Sequence, residues 1–497
     1  MDTDNRIKVY NEKRVTDNAD LFLDTLYSYD GHRTLVYHHR EYHQWIGTHW
    51  INVDEDEITA QINKFFKHGY TESTIDGEDG QKKLVKSPFP VNDKTRTNIK
   101  NAVKNEVLIS YSGNQTNHWI DATAEEIASG ELPNADDLIP MQNGILNSRT
   151  RELLPRTPRL FNKYVLQFDY GPNPEMPVEW LAFLHSTFEN DEQRIGLIQE
   201  MLGYLCTPDL SQQKMFYLIG LKRGGKGTIT RLIDQLVGHE NVGSTSLASL
   251  GGAFGLQSIA DNPVVVMGDA ASSGKTPEQA MERLLGIVGM DKVPVNRKNQ
   301  KEISATLPGR FVVSANKLPM LPDSSGALRA RILVIRFNQS FLGREDKQLG
   351  AKIAAELSGI FVWALDGLDR LRERGSFVQP DVGKEELAVY EEITSPELSF
   401  IEECCEVGPE LRVPKEEMWR VWRVWHEQNS HPLPIGGKGG LTQALTTHHP
   451  QIRGDAKTSR AEDGSRQPAY SGITLNVYAV EKYGAKGCND DLRMPGY

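Results

Sequence analysis

Nothing in the sequence constrains the fold more than the stretch Met215 to Thr228, MFYLIGLKRGGKGT. The apolar run Met215 to Ile219 has the length and composition of a buried strand, and it empties into G-x-x-x-x-G-K followed by Gly227-Thr228. Glycines in such a loop let backbone N–H groups turn inward around phosphate oxygens, and Lys226 supplies a point charge for the β and γ phosphates of ATP. Ile229, Leu232, Ile233 and Leu236 then recur at helical spacing, so the loop opens onto a helix N-terminus, a position that favours anions. Gly220, Gly224, Gly225, Lys226, Gly227 and Thr228 are therefore the expected ATP-binding residues. A Ser or Thr directly after the lysine ordinarily meets Mg²⁺; Gly227 stands there instead, which leaves Thr228 as the available hydroxyl.

A chain of 497 residues is too long for a single core. Its 38% apolar and 25% charged content excludes the disordered and membrane classes. A net charge of −11 confines any nucleic-acid contact to a local basic surface, such as the lining of a channel. Cys206, Cys404, Cys405 and Cys488 lack metal-ligand spacing and read as reduced thiols, which suits a cytoplasmic protein. No apolar run approaches a bilayer span and the first residues lack the apolar region of a signal peptide, so no membrane association is expected.

Residues 1–135 have a texture of their own. Leu35-Val-Tyr37, Tyr42-His-Gln-Trp45 and His49-Trp-Ile51 are short β-prone pieces, and Asp54 to Gly69 is amphipathic through Ile58, Ile62, Phe65 and Phe66. An N-terminal α+β domain is expected. Its histidines, His32, His38, His39, His43 and His49, have no carboxylate or cysteine at ligand spacing and read as solvent-facing strand residues. Asp54 and Asp56, without a second acidic strand, read as a helix start rather than as the paired acids of a primase. Over 136–205, Pro140, Pro155, Pro158, Pro172, Pro174 and Pro177 mark a connector with little regular structure before Val178. Trp180, Leu184 and Phe188, then Ile195, Ile198, Met201 and Leu205, restore helical spacing. Two helices follow, which serve either as a collar between protomers or as ordinary core.

Within 206–380, Pro263 to Gly268 is an apolar run capped by Asp269, and ligand groups in α/β sheets project from the carboxyl ends of buried strands. Asp269 is placed to hold Mg²⁺, directly or through water. Val293-Pro-Val and Ile303 flank a basic turn; Arg297, Lys298 and Lys301 either form a solvated hairpin tip or are offered to DNA phosphates. The strand Arg310 to Ala315 ends at Asn316, whose amide suits a lytic water near the γ-phosphate or a turn cap. Arg329 and Arg331 straddle a small residue and would share a face in an extended segment.

The order of glycine-rich loop, V-V-V-M-G-D, V-N-R-K, F-V-V-S-A-N-K-L-P and D-S-S-G-A-L-R-A-R-I-L-V-I resembles the superfamily III helicase core of phage and plasmid primase-helicases, the poxvirus-type branch of the AAA+ ATPases. Phe341-Leu-Gly-Arg-Glu-Asp, Gly359 to Leu368 and Arg372 to Phe377 are similar to the stretch that closes that core, and Asn143-Gly144, Arg151 to Pro155 and Phe168 to Tyr170 resemble its pre-helicase domain. The resemblance covers roughly residues 140 to 400 well and the first 130 poorly. It implies an ATP-hydrolysing ring, usually hexameric, that translocates 3′ to 5′ on single-stranded DNA at replication forks. Carried over by position, Lys226 and Thr228 bind phosphate and Mg²⁺, Asp269 is the second acidic motif, Asn316 the sensor and Arg331 the finger that reaches a neighbour's γ-phosphate. Gly268 and Ala270 flank Asp269 where many relatives have another acid, so either Asp269 serves both metal and water or a distant carboxylate assists.

Residues 395–497 read as helix, helix with Trp419, Trp422 and Trp425, a glycine-rich turn, a third helix, and two strands around Lys457 to Arg466. That order suits a winged helix, with Lys457, Arg460 and Arg466 in the wing and Trp422 and Trp425 in the core. The whole is thus expected to be α/β: an AAA+ core between an N-terminal α+β domain and a C-terminal winged-helix domain, a helicase for phage, prophage or mobile-element replication in a bacterial cytoplasm. A separate primase or origin-binding protein is a possible partner. The competing readings are a small-molecule P-loop kinase and a winged-helix DNA-binding protein that uses nucleotide only as an oligomerisation switch.

Overall fold

The computed structural model describes residues 9–11, 13–76, 82–109, 117–268, 278–298, 302–318, 328–394, 396–429, 437–460 and 466–484. Its central feature is a parallel five-stranded sheet in a mixed α/β chain. In chain order the elements around it are α1 (Val178–Phe188), α2 (Glu192–Cys206), β1 (Met215–Gly220), α3 (Lys226–Val237), β2 (Val242–Thr245) and β3 (Val264–Gly268). Then come α4 (Glu278–Val288), the short strands β4 (Val293–Val295) and β5 (Ile303–Ala305), β6 (Arg310–Ala315), β7 (Ile332–Phe337), α5 (Leu349–Ala355) and α6 (Leu357–Arg374). The spatial order is β2-β3-β6-β1-β7, and β4 and β5 pair separately as an antiparallel hairpin.

Every residue of β1 is buried, because both faces of a parallel sheet are covered. Alternation sorts its side chains: Phe216 and Leu218 enter the layer built with α1, α2, α3 and α6, while Met215, Tyr217 and Ile219 enter the layer on the other face, with α4. The two helices before the sheet belong to the first layer through Trp180, Leu184, Phe188, Ile198, Met201 and Leu205, which is ordinary core packing within one protomer. Pro177 offers α1 no side-chain cap, and Glu356 substitutes: its carboxylate accepts from the backbone N–H groups of Glu179 and Trp180, each at 2.9 Å. Arg310, only 3% exposed at the start of β6, donates to the carbonyls of Pro263 (3.0 Å), Tyr204 (2.7 Å) and Thr207, and so ties the end of α2 to the sheet.

The first domain has a three-stranded antiparallel sheet (Leu35–His38, Glu41–Trp45, Trp50–Val53) under helices Val15–Leu26, Glu55–Phe66 and Asp93–Glu106. Asp54 caps the second helix by accepting from Asp56 N at 2.7 Å, so it acts as a helix start. The histidines depart from expectation. His32 and His39 are exposed, but His38 and His43 are buried, and with His118 they pack around the Phe161 ring. Alternation places them inward because the sheet's second face is covered by the segment that follows it: Trp50 Nε1 donates to Leu160 O at 3.0 Å and Trp50 stacks on Phe161. Among the described residues no group of three or more His, Cys, Asp or Glu forms a metal site.

The proline-rich connector is also more regular than expected. Leu138–Met141, Gly144–Asn147 and Leu153–Leu154 form a three-stranded antiparallel sheet. Pro140 sits in an edge strand of that sheet, where a missing N–H costs no ladder bond. At the C-terminus, helix Pro396–Cys404, strand Cys405–Pro414, helices Lys415–Gln428 and Gly437–His448, strands Arg453–Arg460 and Arg466–Leu475 and helix Val477–Tyr483 follow in order. The strand Cys405–Pro414 was not expected; it pairs with Arg466–Leu475 to complete a three-stranded sheet. Trp422 and Trp425 are core residues, stacked at 5.8 Å. The side chains of Lys457, Arg460 and Arg466 lie outside the described residues. No described helix is long and apolar enough to cross a membrane.

Burial pulls the His38 imidazole down to about 4, helped by His39, and those of His43 and His118 to about 3. Between those values and the ordinary value of 6.5 the unfolded chain binds protons that the folded domain does not. Stability should therefore fall as pH drops below 6.5, by up to about 1.4 kcal/mol per pH unit for each histidine. Hydrogen exchange of the Leu35–Val53 strands at pH 7 and pH 5 should show this loss, and His43→Met should shallow it. An unchanged slope in His43→Met would contradict the assignment of His43 as a buried neutral group.

Candidate functional site

The glycine-rich loop leaves the carboxyl end of β1 and forms one wall of a cavity of about 910 Å³. Gly220 ends the strand at φ +137°, paired with Phe337 of β7, and a Cβ there would lie 2.0 Å from Phe337 O. No side chain fits that approach, so the loop must begin at a glycine. The chain returns through Gly225, in the left-handed region at φ +101°, and α3 starts at Lys226. Lys226 Nζ donates to Gly220 O (2.7 Å) and Leu221 O (2.8 Å), folded back on the loop it closes.

Gly224, Gly225, Lys226, Gly227 and Thr228 all line this cavity, and Asn316 lines it too, one residue past β6. The register explains the meeting. β6 runs parallel to β1 with Ile219 opposite Ala315, so the residue after β6 emerges beside the loop that leaves β1. Asp269 follows β3 directly in sequence, but it and Ala270 lie outside the described residues, as does Lys301.

Several lining residues were not anticipated. Glu179, Ala182, Phe183 and Ser186 bring α1 to the cavity, and Phe341, Arg344, Glu345 and Asp346 close it from the segment before α5. The motif Phe341-Leu-Gly-Arg-Glu-Asp was the available signal for the second group; α1 offered none, because its periodicity reports only its buried face. Arg231, one turn along α3, also faces the cavity. The acids are matched by cations: Glu345 lies 3.7 Å from Arg223, and Asp346 accepts from Lys352 at 3.1 Å. The backbone N–H of Gln348 and then Lys352 hold the Asp346 carboxyl below its ordinary range. A donor-rich loop at a helix N-terminus, with an ammonium group and a carboxamide at its sides, is suited to a polyphosphate.

As for a metal, the described donors comprise the Thr228 hydroxyl and the cavity carboxylates. Mg²⁺ takes one or two protein oxygens and completes its shell with substrate phosphates and water, so Thr228, with Asp269 at the end of β3, fits that pattern in residue type.

Arg331 does not line the cavity. It lies in a 3₁₀ turn, Arg329–Arg331, rather than an extended segment, so the two arginines do not share a face. Its Nη1 donates to Leu285 O, near the end of α4, at 2.6 Å. Arg297 is ion-paired with Glu41 of the first domain, while Lys298 is exposed and its backbone N–H donates to the Gln257 side chain at 3.1 Å.

The fold and cavity define a mixed α/β protein with a parallel five-stranded sheet and a glycine-rich loop at a helix N-terminus. A family model described as D5 N terminal like matches residues 19–189, and a family of unknown function, DUF5906, matches residues 218–331. The first match takes in most of the N-terminal domain, which the sequence resemblance covers poorly. No curated protein matches the chain. The A-form apo structure of the NrS-1 C-terminal region is similar at 13% identity and a TM-score of 0.47, covering 88% of this chain and 96% of that one. A second apo structure of the region, residues 305–718, gives 12% and 0.46, covering 93% and 100%; this level of likeness carries no functional argument.

If Gly220 is obligatory for the approach of β1 to β7, Gly220→Ala should destabilise the protein by about 3 kcal/mol, the upper end of overpacking costs. Urea unfolding measures this; a variant within about 0.5 kcal/mol of the parent would show that the strand ends yield.

Proposed function

We propose that the chain is a phage primase-helicase-type protein whose α/β core is an AAA+ superfamily III ATPase acting as a DNA helicase. The observation that carries this reading is the convergence of Gly224–Thr228 and Asn316 on one cavity. The D5 N terminal like match, together with the motif order, supports the phage replication context. ATP would enter with its phosphates toward the loop N–H groups, and Lys226 would exchange its bonds to Gly220 O and Leu221 O for phosphate oxygens. A bound Mg²⁺ would polarise the phosphates, held by Thr228 and Asp269. Asn316 is at hand to orient the attacking water. Residues 396–484, with their helix-strand-helix-helix-strand-strand order, support a winged-helix module for DNA.

The ring, the hexamer and the 3′ to 5′ direction follow from the resemblance. A finger acting on a neighbour's nucleotide must lie away from its own cavity, as Arg331 does, and would give up its bond to Leu285 O; Arg329 is the other candidate. ATP turnover with and without single-stranded DNA, measured beside particle mass, tests the proposal as a whole. ATP-dependent assembly without turnover would favour the oligomerisation-switch reading.

Lys226→Ala should abolish turnover in a folded protein. Mixed assemblies of Lys226→Ala and Arg331→Ala subunits should regain part of it wherever an intact lysine faces an intact arginine. No recovery, with Arg329→Ala inactive and Arg331→Ala normal, would move the finger to Arg329.

The basic turn should grip single-stranded DNA through Lys298, since the Arg297 guanidinium is engaged by Glu41. Lys298→Ala should weaken binding uniformly across sequences and shallow the slope of log affinity against log salt by about 0.7, the share of one phosphate contact. An unaltered slope would direct the search for the DNA contact to the C-terminal domain.

A further inference from the structure

The guanidinium of Arg231 stands where a loop of this kind ordinarily carries a hydroxyl side chain. Gly227 directly follows Lys226, and a Cβ at Gly227 would lie 3.2 Å from Arg231 Nη1 and 3.9 Å from the guanidinium carbon. Arg231 reaches that space because it is four residues further along α3, on the same face, with its side chain running back toward the helix start. Nη2 donates to Thr228 Oγ1 across 3.4 Å, a long and weak bond.

Two features of this arginine are not explained by helix stability. Among the described residues it makes no ion pair, whereas Arg223 on the same cavity has Glu345. Its charge is also directed toward the positive end of its own helix, in a cavity that Lys226 lines as well, where a cation is repelled. An anion in the cavity relieves both problems.

We propose that Arg231 is a phosphate-contacting residue of the nucleotide site. It supplies, from within the same protomer, charge and donors that offset the side chain absent at 227. The inference rests on reading the cavity as an ATP site. A guanidinium offers a planar fork to two phosphate oxygens, and the weak bond to Thr228 Oγ1 is readily exchanged for a charged acceptor. Arg231 would turn from the Thr228 hydroxyl to the phosphates whether or not a metal ion is bound, and where no metal shares the phosphate charge the guanidinium carries more of it. Part of the nucleotide affinity is therefore independent of Mg²⁺.

The test is binding of a fluorescent ATP analogue to the full chain, in Mg²⁺ and in EDTA, with thermal unfolding as the check on folding. Arg231→Ala should weaken binding in EDTA about tenfold or more, as expected for a lost hydrogen bond to a charged group, and less in Mg²⁺. Arg231→Lys should recover part of the loss. Gly227→Ser, which crowds Arg231 in the parent, should raise affinity in Mg²⁺ when combined with Arg231→Ala. Unchanged binding by Arg231→Ala in EDTA overturns the proposal, provided the parent binds and Lys226→Ala does not. Equal losses in EDTA and Mg²⁺ without recovery by Arg231→Lys overturn it as well, since they mark a purely structural residue. If the parent itself binds no nucleotide, the ATP reading of the cavity fails, and this inference with it.

Discussion

Strand β1 is hydrogen-bonded along both edges, and the positions of the glycine-rich loop, Lys226 and Asn316 follow from that. Phe216 to Ile219 pair with Val312 to Ala315 on one side, and Met215 to Gly220 pair with Ile332 to Phe337 on the other. A strand held at both edges and buried on both faces cannot slip without turning its side chains into the wrong layer. The turn at Gly220 is therefore a fixed point. From it come the start of α3, the reach of Lys226 and the emergence of Asn316 next door.

Buried charge does the joining elsewhere. Arg310 satisfies carbonyls from α2 and from the start of β3's strand segment, and Glu200, 4% exposed, receives Arg370 and Arg374 from α6. Such pairs add little net stability once desolvation is counted, but each has one geometry that satisfies its donors. They fix how α2 and α6 sit against the sheet. Ion pairs also reach the core from the preceding segments: Glu41 of the first domain meets Arg297 in the β4-β5 turn, and Lys163 of the connector meets Asp261 at 2.8 Å in an exposed pair. In an acidic chain, a basic turn already partly engaged by a carboxylate has fewer cations left for DNA.

Much of the core was legible in the sequence because its signals are local. An apolar run into glycines and a helical repeat needs no distant information, and β1, α3, β3 and β6 lie where those patterns put them. Gly224 to Thr228 and Asn316 line one cavity because β1 and β6 run parallel and end side by side. His38 and His43 were misread because a strand's alternation says which residues share a face, not whether that face is covered. Pro140 was misread because proline reports a missing donor, not whether that donor was needed.

By itself, the sequence determined the strand-loop-helix unit, the alternation of β1 between two layers and the identity of the residues around the loop. Only the tertiary structure decided what closes the cavity opposite the loop, since α1 and the segment before α5 are separated by more than a hundred residues and meet through packing of the helical layer. It alone placed Arg331 on the end of α4 and Arg231 in the space over Gly227. Local patterns encode backbone conformation and facing. Which side chain fills a given gap depends on contacts between elements, and a glycine in a motif records only that the gap exists.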